Sequence, residues 1–164
     1  MRKYYNISKW IVAGHSWGAI IVLAYSLFHR SNVEGIIYLA GIGVQNNREW
    51  HSQFQHNKSK YPDPLPKMKF PFNEEVNKEG NKSWRDYIQN PMIRKNISEL
   101  NIPTLILQGQ NDIRPNWPAK QLSKVLPKAI YKEIDNAVHC ILLTHPDELR
   151  KEIRAFINSF NSIN

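Results

Sequence analysis

One stretch of the sequence decides the fold of this chain: Trp10-Ile11-Val12-Ala13-Gly14-His15-Ser16-Trp17-Gly18-Ala19-Ile20-Ile21-Val22-Leu23. Residues 9–14 form a short apolar run, which predicts a strand. Residues 19–29 predict a compact apolar helix. Residues 14–18 link the two and have the pattern Gly-x-Ser-x-Gly. This pattern at a strand-to-helix junction is typical of a sharp turn that holds the serine hydroxyl out above the edge of a sheet.

The serine in this turn, Ser16, is a candidate nucleophile. Because the turn is tight, we expect positions 14 and 18 both to require glycine. The N-terminus of the following helix and the backbone N–H of Trp17 would point at developing negative charge, so Trp17 is the candidate oxyanion donor. His15 lies inside the turn and is expected to point away from the serine. The alternative is an ordinary strand-to-helix turn that happens to contain a serine.

The rest of the chain continues the alternation of strands and helices. Further strands are predicted at residues 33–40, 104–109 and 129–134, and helices at residues 118–126 and 146–160. Because each strand is apolar along its length, both of its faces are expected to be buried, as in a parallel sheet. The predicted fold class is therefore α/β, with a parallel sheet of about four strands flanked by helices.

One segment, residues 45–100, does not fit the alternation. It is polar, rich in aromatic residues and rich in proline, and it is too long for a structureless loop in a compact domain. We expect an inserted, partly helical cap over the end of the sheet. Residues 1–44 would then form the part of the core that carries Ser16, and residues 101–164 the remainder of the core.

Activation of Ser16 requires a base and a carboxylate that orients the base, because a serine hydroxyl alone is a poor nucleophile. Asp112 follows the third predicted strand and His139 follows the fourth. Both project from the carboxyl end of a parallel strand, where the sites of open α/β sheets collect. Ser16, Asp112 and His139 are therefore the candidate catalytic residues. The alternative is a turn-forming Asp112 and a structural His139, and Asp135 would replace Asp112 if the fourth strand ended earlier.

Composition limits the possible partners. The chain has 164 residues, enough for one domain, and a formal net charge of +8. Because no run of five basic residues occurs, the excess charge is attributed to a solvated face, and no nucleic acid partner is predicted. No apolar run is long enough to span a bilayer, so no membrane partner is predicted either. With a single cysteine, Cys140, and no metal-ligand spacing or phosphate loop, the prediction is a cytoplasmic protein without a cofactor or metal.

Taken together, these segments resemble the α/β-hydrolase family. Within it they are most similar to the branch that contains the proline iminopeptidases and related capped hydrolases. The resemblance rests on residues 14–18, 35–39 and 103–109, on Asp112 with Arg114-Pro115, and on His139 followed by a helix that ends in Ala155-Phe156-Ile157. It implies that Ser16 is the nucleophile, Asp112 the orienting carboxylate and His139 the base. It also implies a small ester or amide substrate, including a short peptide with an N-terminal proline, and leaves peptidase and esterase activity open.

The sequence also departs from the pattern of that family. The first four strands of the family should precede Trp10, but only residues 1–9 do. The His-Gly-Gly-Pro type of loop that supplies a second oxyanion donor does not occur in the sequence. We therefore expect a partial α/β-hydrolase fold, in which the strand before Ser16 is an unpaired edge. The alternative function is a truncated, catalytically weak or inactive fragment that needs a complementary N-terminal half or associates with itself through this edge.

Overall fold

The computed structural model of the protein describes residues 1–44, 47–65 and 67–161. Three features of the sequence predictions lie outside this part: Gln45, the first residue of the predicted cap; Pro66, one of its prolines; and residues 162–164 at the end of the predicted core.

The described residues contain four strands and seven α-helices. In chain order they are β1 (Trp10–His15), α1 (Trp17–Phe28), β2 (Val33–Leu39), α2 (Arg48–Lys60), α3 (Glu74–Ile88), α4 (Ile93–Ser98), β3 (Thr104–Gly109), α5 (Trp117–Val125), β4 (Ala129–Ile134), α6 (Ile141–Thr144) and α7 (Pro146–Asn161). β3 and β4 have the predicted bounds, and the other predicted elements differ from the observed ones by one or two residues at an end.

The four strands form one parallel sheet in the order β1-β2-β3-β4. The predicted α/β fold class, with a parallel sheet of about four strands flanked by helices, is therefore confirmed. Because all strands run in the same direction, the residues that follow them lie together at the carboxyl ends of the strands. Ser16, Asp112 and His139 all follow strands of this sheet, after β1, β3 and β4 respectively.

The core lies on both faces of the two central strands, because successive residues of a strand point to opposite faces. On one face, Ile36 and Tyr38 of β2 pack in a cluster with residues of α1, α4 and α5. On the other face, Ile37 and Leu39 pack with α6 and α7, including Phe156. Every residue of β3 is buried. The sheet is thus covered by helices on both sides, as its apolar strands predict.

The outer strands differ from this expectation. The residues of β1 are half-buried, apart from the exposed Ala13. Only Ile134 of β4 is fully buried, and half of the surface of Ile130 is exposed (51%). The prediction that every strand is buried on both faces is therefore wrong for β1 and β4. An edge strand has one neighbour instead of two, and helices cover it less completely.

Helices α2, α3 and α4 lie between β2 and β3, in the segment predicted to form a cap. The side chains of Asn47 and Asn73 cap α2 and α3, because each accepts a hydrogen bond from the backbone three residues on. The linker between these helices exposes large apolar side chains, among them Phe70 (70%) and Phe72 (65%). The segment is partly helical, as expected, and its function as a cap stays a prediction. In the described part of the chain, no helix combines the length and the apolar character needed to cross a bilayer.

Candidate active site

Ser16 occupies the sharp turn between β1 and α1. Its backbone has φ 57° and ψ −114°, in the left-handed half of conformational space. Such a conformation costs about 1–3 kcal/mol and persists only where the surroundings enforce it. Here the backbone N–H of Ser16 donates to the carbonyl oxygen of Leu39, at 2.8 Å, which ties the turn to the end of β2. The serine is thus held in the strained geometry that the sequence pattern predicts.

The two glycines of the turn are not equivalent. A Cβ atom on Gly14 would lie 2.1 Å from the carbonyl oxygen of Gly18, far inside any allowed contact. A Cβ atom on Gly18 would meet nothing within 4 Å. The expectation that both positions require glycine is confirmed for Gly14 and wrong for Gly18. The chain closes onto Gly14 from one side, whereas the first turn of α1 leaves open space beside Gly18.

The structure brings the three predicted residues together. His139 Nδ1 lies 2.8 Å from Asp112 Oδ2, and His139 Nε2 lies 2.9 Å from Ser16 Oγ. A carboxylate only accepts hydrogen bonds, so Nδ1 carries the proton and Nε2 accepts from the serine hydroxyl. Asp112 and His139 are both buried, and Ser16 is half-buried. The alternative carboxylate, Asp135, lies instead along a polar cleft beside β4.

Hydrogen bonds within and between two loops fix the positions of Asp112 and His139 relative to each other. The backbone N–H of Arg114 donates to Asp112 Oδ1, at 2.8 Å, which fixes the carboxylate that faces His139. The N–H of Asn111 donates to the carbonyl oxygen of Ala137, at 2.8 Å, and joins the loop after β3 to the loop after β4. The loops approach so closely that a Cβ atom on Gly109 would lie 2.5 Å from the oxygen of Ala137.

The segment before α3 also reaches the carboxylate loop. Arg114 Nη1 lies 3.8 Å from Asp112 Oδ1 and 3.9 Å from Asp63 Oδ2, so its charge lies between two carboxylates. Asn57, in α2, donates from Nδ2 to the backbone oxygen of Asp112 at 3.4 Å. Sequence reasoning missed Asp63 and Asn57. No motif or periodicity marks them, because their importance comes only from the fold that places them beside Asp112.

His15 contacts the base, His139. Its Nε2 lies 2.9 Å from the backbone oxygen of His139, and the two imidazole rings are 4.9 Å apart between centroids. Burial lowers the pKa of His15. The sequence showed only that His15 is inside the turn, and it gave no sign of this contact.

Trp17 follows the serine as the first residue of α1. At that position its backbone N–H has no acceptor within the helix, so it is available to an anion beside Ser16. The indole ring contacts α3, where a Cβ atom on Gly80 would lie 2.3 Å from it. With Phe72 and Val76, among others, the ring lines an open cleft of about 440 Å³. The residue that follows the candidate nucleophile thus lines a mostly apolar cleft.

Two further residues that follow β4 have side chains that could carry chemistry, Cys140 and His145. Cys140 is buried and unpaired. His145 immediately precedes α7, and its carbonyl oxygen accepts from the N–H of Leu149. Among residues 1–44, 47–65 and 67–161, no three His, Cys, Asp or Glu side chains are grouped as metal ligands would be.

Comparison with known proteins finds partial sequence matches to α/β hydrolases. A family model described as the alpha/beta hydrolase fold matches residues 1–77. The chain is 39% identical over 49 residues to a proline iminopeptidase from Arabidopsis thaliana, an alignment that covers 30% of this chain and 13% of the relative. The aligned part is therefore a small fraction of that relative.

Solved structures share the fold at low sequence identity. An alpha/beta hydrolase enzyme from the sediment metagenome of the Mar Chica lagoon in Morocco superposes with a TM-score of 0.69 and 17% identity, over 98% of this chain and 66% of the other. A structure from a study of carboxylesterases of Nitrososphaera gargenis gives a TM-score of 0.69 and 14% identity, over 99% of this chain and 70% of the other. The chain has the α/β-hydrolase fold, and it spans about two thirds of the length of these structures.

Proposed function

We propose that this chain is a serine hydrolase that acts by acyl transfer on a small ester or amide. The observation that carries the proposal is the continuous run of hydrogen bonds from Ser16 Oγ through the imidazole of His139 to Asp112, with distances of 2.9 Å and 2.8 Å. A nucleophile within hydrogen-bonding reach of a base, which a third group orients, is the general arrangement of covalent catalysis by serine.

In the proposed reaction, His139 Nε2 takes the hydroxyl proton as Ser16 Oγ attacks the carbonyl carbon of the substrate. Asp112 holds the imidazole in the required tautomer and stabilises the positive charge that forms on it. The tetrahedral intermediate collapses when His139 returns the proton to the leaving alcohol or amine, which leaves an acyl group on Ser16. Water, deprotonated by His139 in turn, attacks the acyl carbon and releases the acid.

The oxyanion of the intermediate would accept a hydrogen bond from the backbone N–H of Trp17. The N-terminal end of α1 would stabilise the same charge through its aligned peptide dipoles. One donor fewer than a complete oxyanion hole typically lowers turnover by about 10²- to 10³-fold. With Trp17 as its single assigned donor, the chain is expected to react slowly with unactivated substrates and measurably with activated ones.

For the substrate, we propose a short peptide with an N-terminal proline, with a compact ester as the alternative. The partial similarity to a proline iminopeptidase supports the first. Trp17, the residue after Ser16, lines an apolar cleft with Phe72 and Val76. This cleft has room for a compact ring or a short acyl chain, so it is compatible with both substrates. Comparing the 4-nitroanilides of proline and alanine with a short-chain 4-nitrophenyl ester separates the two.

A second candidate is a weak or inactive hydrolase that needs a complementary polypeptide. The observation that favours it is the position of β1, which carries Ser16 and lies half-buried at the edge of the sheet. A further strand paired with this edge, from a complementary chain or from a second copy, would support the nucleophile from its open side.

Labelling with a fluorophosphonate tests the proposal, because this reagent bonds covalently to an activated serine. We expect the wild-type chain to be labelled and Ser16→Ala not to be. Ser83→Ala, which removes an exposed hydroxyl beside α1, is the matched control and should label as the wild type does. Equal labelling of wild type and Ser16→Ala would refute the proposed function. Labelling that appears only after a complementary polypeptide is added would favour the second candidate.

A further inference from the structure

We propose that His15 is a positioning residue, whose Nε2–H holds the backbone of His139 over the nucleophile turn. The proposal rests on the proposed function, since it concerns how the base is kept beside Ser16. The observation behind it is the distance of 2.9 Å between His15 Nε2 and the carbonyl oxygen of His139. A carbonyl oxygen only accepts hydrogen bonds, so Nε2 of His15 is the donor.

The loop that carries His139 must extend from β4 at one edge of the sheet to Ser16, which follows β1 at the other edge. β1 and β4 lie at opposite edges of the sheet, three strand spacings apart, which is roughly 14 Å. Only residues 135–138 separate the end of β4 from His139. On the way they cross the end of β3, because the carbonyl oxygens of Ala137 and Val138 would each lie 2.5 Å from a Cβ atom on Gly109. His139 therefore lies at the end of a loop that extends from β4, past the end of β3, towards β1.

This loop is anchored at its middle and at its far end. At the middle, Asn111 donates its backbone N–H to the oxygen of Ala137. At the far end, two hydrogen bonds of the described residues join His139 to the nucleophile turn, one from Ser16 and one from His15. The bond from Ser16 is the one that the reaction must break and reform. The bond from His15 goes to the backbone, so it can persist through every step.

The surroundings of His15 keep it in the form that this bond requires. Burial lowers the pKa of His15, and the adjacent His139 and Arg114 lower it further, while the hydrogen bond to His139 and the charge of Asp112 raise it. The ring is therefore neutral near neutral pH, with one N–H to donate. A second positive charge beside the imidazolium that forms on His139 is also avoided.

Two substitutions of similar size test the role. His15→Gln keeps a side-chain N–H donor, and His15→Leu removes it. We expect His15→Leu to lower the fluorophosphonate labelling rate by about tenfold or more, because a displaced base loses alignment with the serine, and His15→Gln to stay within about threefold of the wild type. Equal rates for Leu and Gln, or a loss that follows the melting temperature of each variant, would overturn the proposal.

A second measurement keeps the inference separate from the proposed function. If the wild type is labelled no more than Ser16→Ala, the proposed function fails, and the hydrogen bond of His15 is then tested directly. Nitrogen-15 NMR of the wild-type imidazoles distinguishes the two neutral tautomers. We expect His15 to be protonated at Nε2, with the ring signals of His139 displaced in His15→Leu. A neutral His15 protonated at Nδ1 would overturn the proposal whatever the labelling result.

Discussion

Replacing Gly14 by alanine should disrupt the nucleophile turn, whereas the same replacement at Gly18 should be tolerated. The two glycines occupy matching places in the sequence pattern, so the pattern alone gives no reason for a difference. The structure gives a reason for the difference. A Cβ atom on Gly14 would lie 2.1 Å from the carbonyl oxygen of Gly18, whereas a Cβ atom on Gly18 would meet nothing within 4 Å.

The size of the effect follows from these contacts. Ordinary Cβ contacts begin at 3.4 Å, so a methyl group on Gly14 forces the backbone of the turn apart. The obstructing atoms are backbone atoms of Gly18 and Ala19, which cannot swing aside as a side chain can. We expect Gly14→Ala to lower the free energy of unfolding by about 3 kcal/mol, the upper end of the range for overpacking. Gly18→Ala should raise it by about 0.5 kcal/mol, because alanine restricts the unfolded chain and favours the helix.

Urea unfolding followed by tryptophan fluorescence measures both values, and fluorophosphonate labelling reports on the turn itself. A displacement of the serine by about 1 Å should lower the labelling rate of Gly14→Ala by about 100-fold, whereas Gly18→Ala should label at the wild-type rate. The reasoning would be refuted if both variants unfolded within about 0.5 kcal/mol of each other, a spread typical of unconstrained surface positions.

Further predictions concern the carboxylate, the neighbouring histidine and the core. Asp112→Asn should lower the labelling rate by about 10³- to 10⁴-fold with little loss of stability, because the amide favours the wrong tautomer of His139; a loss below about tenfold would contradict the proposed role of Asp112. Because the folded-state pKa of His15 is lowered from 6.5, the unfolded chain binds more protons below that pH, so stability falls as the pH falls from 6.5 towards the folded-state pKa. His15→Gln should lose this part of the pH dependence, which urea unfolding at about pH 7.5 and about pH 5.5 measures, and an unchanged difference would contradict it. Tyr38→Phe removes the acceptor of the buried N–H of Gly43, at 2.9 Å, and should cost about 1–3 kcal/mol in the same unfolding assay, whereas a cost near zero would show that the N–H finds another partner.

The sequence was sufficient to predict the elements of the core and the residues that follow them. Apolar runs such as 104–109 predict buried strands because a central strand must be apolar on both faces, and β3 meets that condition at every residue. The order of the strands then brings Asp112 and His139 to the same edge as Ser16. Burial of β1 and β4 was predicted wrongly, because apolar content alone does not distinguish a central strand from an edge strand.

The surroundings of the site could not be predicted in the same way. The contacts of Arg114 with Asp63, of Asn57 with Asp112 and of His15 with His139 join residues that are far apart in the chain and belong to no periodic pattern. Each depends on the exact path of a loop. Local propensities limit such paths only weakly, whereas strands and helices follow from short-range periodicity.

Of the three candidate catalytic residues, Ser16 is the least buried. Asp112 and His139 are buried on loops that are bonded to each other, and β3 is buried along its whole length. Ser16 follows β1, whose residues are half-buried apart from the exposed Ala13 and which, among the described residues, pairs with β2 alone. Local opening begins where few apolar contacts protect the backbone hydrogen bonds, so β1 should open before β2 or β3.

The bond from Ser16 to Leu39 and the bond from His15 to His139 both oppose that opening, since each joins the end of β1 to a better-buried residue. The geometry of the nucleophile therefore depends on contacts made by its own turn more than on the strand that precedes it.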